Sequence, residues 1–300
     1  MTFSRIPRAP AVLAVVSLAM CGASAVTDAQ VGRDRTLYVS VRDKSGAPVT
    51  DLGPQEIVIR EDGTRREVLR VSRAAEPIDI AILVDDSSAA GPDLLFIRDA
   101  LTRFVGLMHG DHNIAVIGLA GRPTILTDYT RDPARLKAAV GRIFAQTDSG
   151  MTLLDALVEV SKGLEKRETS RAVLLAVITD GPEYGRFDDR EVLKQLKRAG
   201  AAFHAVTTGT LAAFTPDEMR YRAIVLSNGT RETGGRHDNL MAGSGLPLAV
   251  ENVARELSSQ VKVVYSRPQS LIPPERIEVS VTRPGLTARG TPARRTGGQP

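Results

Sequence analysis

Apolar positions along this chain fall into two patterns. Near the ends they alternate. Thr36 to Arg42 alternates toward the turn signal Asp43-Lys44-Ser45-Gly46, and Ile57-Val58-Ile59 runs into Glu61-Asp62-Gly63 before Val68 to Val71. Val261 to Tyr265 and Arg276 to Val281 repeat the pattern after residue 260, separated by Pro268 and Pro273-Pro274. Such segments predict short strands joined by turns. In the middle the apolar residues form continuous runs of strand length, separated by segments with helical spacing. Ile78 to Val84, interrupted only by Asp79, is followed by a segment from about Asp93 to Met108. There Leu94, Leu95, Ile97, Leu101, Phe104, Val105 and Met108 fall on one broad helical face.

Further strands are expected at Ile114 to Leu119, Thr124 to Leu126, Ala172 to Ile178 and Ala202 to Val206. Helices are expected from Pro133, where proline suits a first turn, and over Thr152 to Glu165, Asp189 to Ala199 and Pro247 to Ser259. Residues 210 to 245 read as a short helix and an elaborated loop. Strands alternating with helices imply right-handed crossovers, hence an α/β fold with a doubly wound, mostly parallel sheet. The N- and C-terminal strands are too few on either side to bury a core alone, so they are expected to pair with each other into a small flanking β module.

The chemistry lies where two of the buried runs end. Val84 is followed by Asp85-Asp86-Ser87-Ser88-Ala89, and Ile178 by Thr179-Asp180-Gly181. Parallel strands that each end in Asp bring both carboxylates to one sheet edge, the edge at which open α/β sheets bind ligands. An Asp at a strand-to-helix junction is otherwise most often an N-cap or a turn residue.

Asp85-x-Ser87-x-Ala89 and strand-Thr179-Asp180-Gly181 resemble the von Willebrand factor A domain and its metal-ion-dependent adhesion site. The resemblance covers roughly residues 76 to 265. It implies a Rossmann-like fold, an Mg²⁺ ion held by carboxylates and hydroxyls from three loops, and an acidic group of a protein partner completing the coordination. Oxygen ligands suit that hard cation. Carried over by position, the candidate metal ligands are Asp85, Ser87 and Asp180, with Thr152 from the third loop, Ser149-Gly150-Met151-Thr152. Asp86 adds charge to the first loop. Two positions depart from the family pattern. Ala89 stands where the last Ser is expected, and Met151 stands at the third-loop Thr, leaving Thr152 one residue late. A thioether is a poor Mg²⁺ ligand, so the implied site is degenerate and its Mg²⁺ binding weak. The order of the segments also resembles a bacterial family of exported von Willebrand factor A-related proteins, on Asp43 to Val49, Glu61-Asp62-Gly63 and Thr233-Gly234-Gly235.

Arg5 and Arg8, the apolar stretch Ala11 to Met20 and Ala23-Ser24-Ala25 have the layout of a secretory signal peptide over 1–25, with Ala29 as a second cleavage point. Its hydrophobic stretch is too short to span a bilayer. Cys21 is the only cysteine. The bulky Met20 before it argues against a lipoprotein box, and cleavage after Ala25 leaves a fold that relies on burial without disulfides. The expected organisation is then a β segment over 30–75, the A-like domain over 76–265, a β segment over 266–288 and a basic disordered tail over 289–300.

Losing Arg5 and Arg8 takes 39 basic residues to 37 against 35 acidic. Arg283, Arg289, Arg294 and Arg295 lie in an end without acids, so the remaining body is slightly acidic. That balance points to no nucleic-acid partner and no stable membrane insertion of the mature chain, and leaves the oligomeric state open.

Common catalytic signatures are missing from the sequence: there is no Gly-x-Ser-x-Gly, Walker loop or His-Glu-x-x-His. A phosphatase of the haloacid-dehalogenase type needs Asp-x-Asp at the first loop, and Ser87 cannot replace that second acid. His109-Gly110-Asp111-His112 lacks a third zinc ligand nearby, and His204 falls in an apolar strand. Gly243-x-Gly245 lacks the third glycine of a dinucleotide loop, and Asn228-Gly229-Thr230 fits a glycosylation acceptor. The leading expectation is an exported, non-catalytic protein-binding module that meets its ligand at the Asp85 and Asp180 edge. The alternatives are a metal-independent structural envelope protein and a metal-dependent hydrolase.

Overall fold

A computed structural model describes residues 1, 32–167, 169–209, 217–268 and 272–294. The expected signal peptide, with Cys21 and both cleavage points, lies outside the described residues, as does the tail from residue 295.

In chain order the N-terminal strands are β1 (Gly32–Arg42), β2 (Ile57–Glu61), β3 (Thr64–Arg66) and β4 (Val68–Arg73). The α/β part follows with β5 (Asp79–Val84), α1 (Leu94–Met108), β6 (Asn113–Gly118), β7 (Thr124–Thr130), α2 (Pro133–Gly141) and α3 (Leu153–Glu165). It continues through β8 (Ala172–Ile178), α4 (Asp189–Ala199), β9 (Ala202–Thr208), α5 (Asp217–Ile224), α6 (Thr230–Thr233), β10 (His237–Leu240) and α7 (Leu246–Ser258). β11 (Val261–Pro268), β12 (Ile277–Val281) and β13 (Thr287–Pro292) complete the chain.

Six strands form the central sheet in the order β10-β9-β8-β5-β6-β7. All neighbours are parallel except β6 and β7. That pair turns back through a connection containing Gly121 at φ +65°, too short for a crossover helix. One face of the sheet packs Ile80, Ile82 and Val84 against α1, α2 and α7. The other packs Ala81 and Leu83 against α3, α4 and the π turn at Val225–Gly229. Burial on both faces explains why β5 and β8 read as continuous apolar runs. The strand order reverses between β5 and β8: the chain leaves β5 toward β6 on one side and returns to β8 on the other. A doubly wound sheet opens a crevice at the carboxyl ends of two such strands.

The terminal strands form the flanking module. β13-β1-β11-β4 make one antiparallel sheet and β12-β2-β3 a second. Leu37, Val39, Ile57, Ile59, Val263 and Tyr265 fill the space between them. Two boundaries shift from the sequence expectation. β11 pairs with β1 and β4 and belongs wholly to the module, although it was placed partly with the A-like domain. β13 takes in residues 289–292 of the expected tail, because backbone pairing with β1 accommodates its Gly and Thr residues and Arg289 meets the buried Glu256 at 2.5 Å.

The module abuts the amino ends of the central strands. Arg171, just before β8, donates to the carbonyls of Glu76 and Leu257 at 2.7 and 3.1 Å and to Gln260 Oε1 at 2.8 Å, while Gln260 Nε2 donates to Ser40 Oγ at 3.1 Å. The Asp180 end lies across the length of β8, seven residues or about 23 Å away.

Candidate functional site at the strand ends

Asp85 and Asp180 follow β5 and β8, the two strands flanking the topological switch. Asp85 is fully buried, and hydrogen bonds fix it: Oδ1 accepts from Ser87 N at 2.9 Å, and Oδ2 accepts from Thr179 N at 3.2 Å and Thr179 Oγ1 at 2.5 Å. One carboxylate thus ties the first loop to the second. Ser87 Oγ is buried and has no hydrogen-bond partner. An orphaned buried hydroxyl is the kind of atom a bound ion or ligand satisfies.

Gly181 closes the gap between the loops. A Cβ there would run into the Ala89 methyl and stand 3.5 Å from Thr179 Oγ1 and 3.7 Å from Ser87 Oγ. Ala89 therefore lines the same small space, with a methyl where a hydroxyl would serve a cation. Asp180 is exposed and packs against Gly209, whose φ of +91° and missing Cβ leave room for the carboxylate.

Asp86 turns away from this group. Its Oδ1 accepts from Leu119 N and Ala120 N, both at 2.7 Å, and its Oδ2 from Gln146 Nε2 at 2.9 Å. It braces the end of β6 and the loop before α3. Thr152 also serves the scaffold, since its hydroxyl donates to the Leu119 carbonyl at 2.9 Å at the head of α3. The expected fourth ligand thus has its proton committed to backbone. Met151 is fully buried, and its backbone is pinned by Met151 N donating to Pro182 O at 2.9 Å and Tyr184 N donating to Met151 O at 2.7 Å.

Two charged residues at this end were missed by the sequence reading. Glu183 is buried; Oε1 accepts from Leu154 N at 3.3 Å and Gly185 N at 3.0 Å, and Oε2 has no partner. Burial raises its pKa to about 7, opposed by the charge of Arg222. Arg222, 1% exposed, donates from Nη1 to the Gly181 carbonyl at 2.7 Å and shares a cleft with Asp180, Thr208 and Gly209. The signal in the sequence was its spacing: Met219, Arg222 and Val225 recur at intervals of three on the buried side of α5 and its continuation.

Both His109 and His112 engage backbone through Nδ1. His109 Nδ1 lies 2.8 Å from the Val105 carbonyl, and His112 Nδ1 accepts from Ile78 N at 3.3 Å. His204 is buried within β9, and burial lowers its pKa, keeping the ring neutral.

The donor set fits a divalent cation only in part. Asp85, Ser87 and Asp180 supply oxygens, the Thr152 hydroxyl keeps its lone pairs while its proton goes to the Leu119 carbonyl, and Ala89 and Met151 supply none. Among the described residues no group of three or more His, Cys, Asp or Glu is placed to hold a metal. A hard cation that takes six or more oxygens would rely heavily on water here.

An open α/β sheet with paired acidic loops at its switch point defines a Rossmann-like α/β domain. The sequence model of the von Willebrand factor type A domain matches residues 80–183, the stretch containing both loops. Among solved structures it is similar to a von Willebrand factor type A protein from Catenulispora acidiphila, with a TM-score of 0.51 and 10% identity over 89% of this chain and 64% of that one. It thus spans less than two thirds of that protein's length. It is also similar to the vWF domain of the type V pili tip protein Mfa5 from Porphyromonas gingivalis, with a TM-score of 0.47 and 12% identity over 61% of this chain and 96% of that one. A third similar structure is proximal thread matrix protein 1 from the mussel byssus with a zinc-occupied MIDAS motif, with a TM-score of 0.46 and 16% identity over 70% of this chain and 50% of that one. No curated protein matches the sequence.

Proposed function

We propose that the protein is an exported, non-catalytic binding module of adhesion or scaffold type, which meets an extracytoplasmic protein ligand at the Asp85 and Asp180 edge and binds Mg²⁺ there weakly. The observation that carries this reading is the grouping of Asp85, the orphaned Ser87 hydroxyl and the exposed Asp180 at the switch point of a von Willebrand factor type A domain. Such domains mediate protein interactions.

Tyr184 adds a contact residue suited to a protein interface. It is 64% exposed, lies four residues beyond Asp180, and packs its ring on Gly150 of the third loop. Tyrosine offers a large, stiff amphipathic surface of the kind that anchors interfaces. The β module occupies the opposite end of the sheet and leaves this edge open. Export is supported by the signal-peptide layout of residues 1–25, and no described helix is long and apolar enough to cross a membrane.

The test is capture from the extracytoplasmic fraction on the immobilised mature chain, in Mg²⁺ and in chelator, with Asp180→Ala and Tyr184→Ala as comparisons. A discrete ligand retained by the wild type and lost with both variants supports the reading. Retention by both variants contradicts it.

A further inference from the structure

The strand-end site contains two acidic loops and an incomplete set of oxygen donors, and backbone and hydroxyl donors of Ser87 and Thr179 hold the Asp85 carboxylate. Among the described residues, Arg222 is the cation buried beside these loops. Its side chain is 1% exposed, its Nη1 donates to the carbonyl of Gly181, directly after Asp180, and it lines the cleft that Asp180 lines. Its Nε is buried with no hydrogen-bond partner. A guanidinium stays charged in a protein interior, so the group supplies a full positive charge beside the acidic loops. The acids it interacts with are Glu183, Asp85 and Asp180, the first two buried.

We propose that Arg222 is the resident cation of the strand-end site, balancing the charge of Asp85 and Asp180 in the way a divalent ion does in a complete site. This rests on reading those two residues as the binding edge. It follows that the weak affinity for metal has two independent causes. Ala89 and Met151 remove oxygen donors, and Arg222 repels any cation brought to the donors that remain. It also follows that the loops are assembled without metal, so a chelator leaves the fold at this edge unchanged.

Isothermal titration with Mg²⁺ on the full mature chain separates these causes. The variants are Arg222→Gln, Arg222→Met, Arg222→Lys and the pair Ala89→Ser with Met151→Thr, each checked for folding by circular dichroism. Arg222→Gln keeps a polar amide in the buried space while losing the charge, so it serves if Arg222→Met does not fold. A unit charge several ångströms from a doubly charged ion, largely screened by water, changes affinity about tenfold. The neutral variants are therefore expected to bind Mg²⁺ about tenfold more tightly than wild type, and Arg222→Lys no more tightly. Neutral variants without gain, beside a gain in Ala89→Ser with Met151→Thr, overturn the role of Arg222 and leave the site standing. An equal gain in Arg222→Lys also overturns it, because shape and not charge would then be responsible. If no variant binds Mg²⁺ at millimolar concentration, including one combining all three changes with Gln at 222, the reading of the edge as a metal-type site fails as well.

Discussion

Replacing Glu183 by Gln isolates the electrostatic state of the loop that joins β8 to α4. The wild-type carboxyl is buried and titrates at about 7, with burial as the main cause and the Arg222 charge acting against it. In the unfolded chain it titrates at about 4.5. Between those values the native protein holds a proton that the unfolded chain has lost, so stability falls as pH rises through this window and levels off above it. The gap of about 2.5 units, at 1.36 kcal/mol each, bounds the loss at about 3 kcal/mol. Gln is nearly isosteric, keeps an acceptor for Leu154 N and Gly185 N, and does not ionise. Urea denaturation at pH 5, 6, 7 and 8 should show the two proteins similar at pH 5. The variant should then gain on wild type with each step, reaching up to about 3 kcal/mol by pH 8. A difference independent of pH would refute the reasoning, since it would show that Glu183 ionises normally in the folded state.

Three further outcomes follow from the same loops. Asp86→Ala leaves the Ala120 amide without its carboxylate acceptor, while Leu119 N keeps the Val84 carbonyl at 3.1 Å, and should lower stability by about 2 kcal/mol, read by denaturant midpoint. Ala89→Ser with Met151→Thr restores two hydroxyl positions and should raise Mg²⁺ affinity in calorimetry; tight binding by wild type or no gain in the variant contradicts the account. Gly209→Ala places a Cβ at φ +91° against the Asp180 carboxylate and should lower stability by about 2 kcal/mol, read by thermal unfolding.

The elements read from pattern lie close to those in the structure. Helix α4 was expected at Asp189 to Ala199 and occupies that span, with Asp188 accepting from Glu191 N at its head and Gly200 left-handed at its end. Strands β5 and β8 declared themselves as apolar runs, because burial on both faces excludes polar residues. The pairing of the terminal strands was legible from hydrophobic area alone. Their exact limits were not, since β13 is held by backbone bonds to β1 that side-chain pattern does not encode.

At the site, Asp85, Ser87 and Asp180 were visible as loop residues following strands. The side-chain directions were not. Asp86 and Thr152 face backbone groups of Leu119 and Ala120, the two residues after β6, which only the assembled loops bring near. Arg222 and Glu183 escaped notice because a buried charge is recognised by its surroundings, and those come from segments 41 and 29 residues away.

The most direct test of the binding edge is site-specific photocrosslinking in the intact, exported protein. A photoreactive amino acid at position 184, beside Asp180, is compared with one at the exposed position 65 in β3 of the flanking module. The account predicts one discrete protein adduct from position 184, lost when Asp180→Ala is added, and none from position 65. A discrete adduct from position 65 with none from 184 would place recognition in the β module and contradict the account.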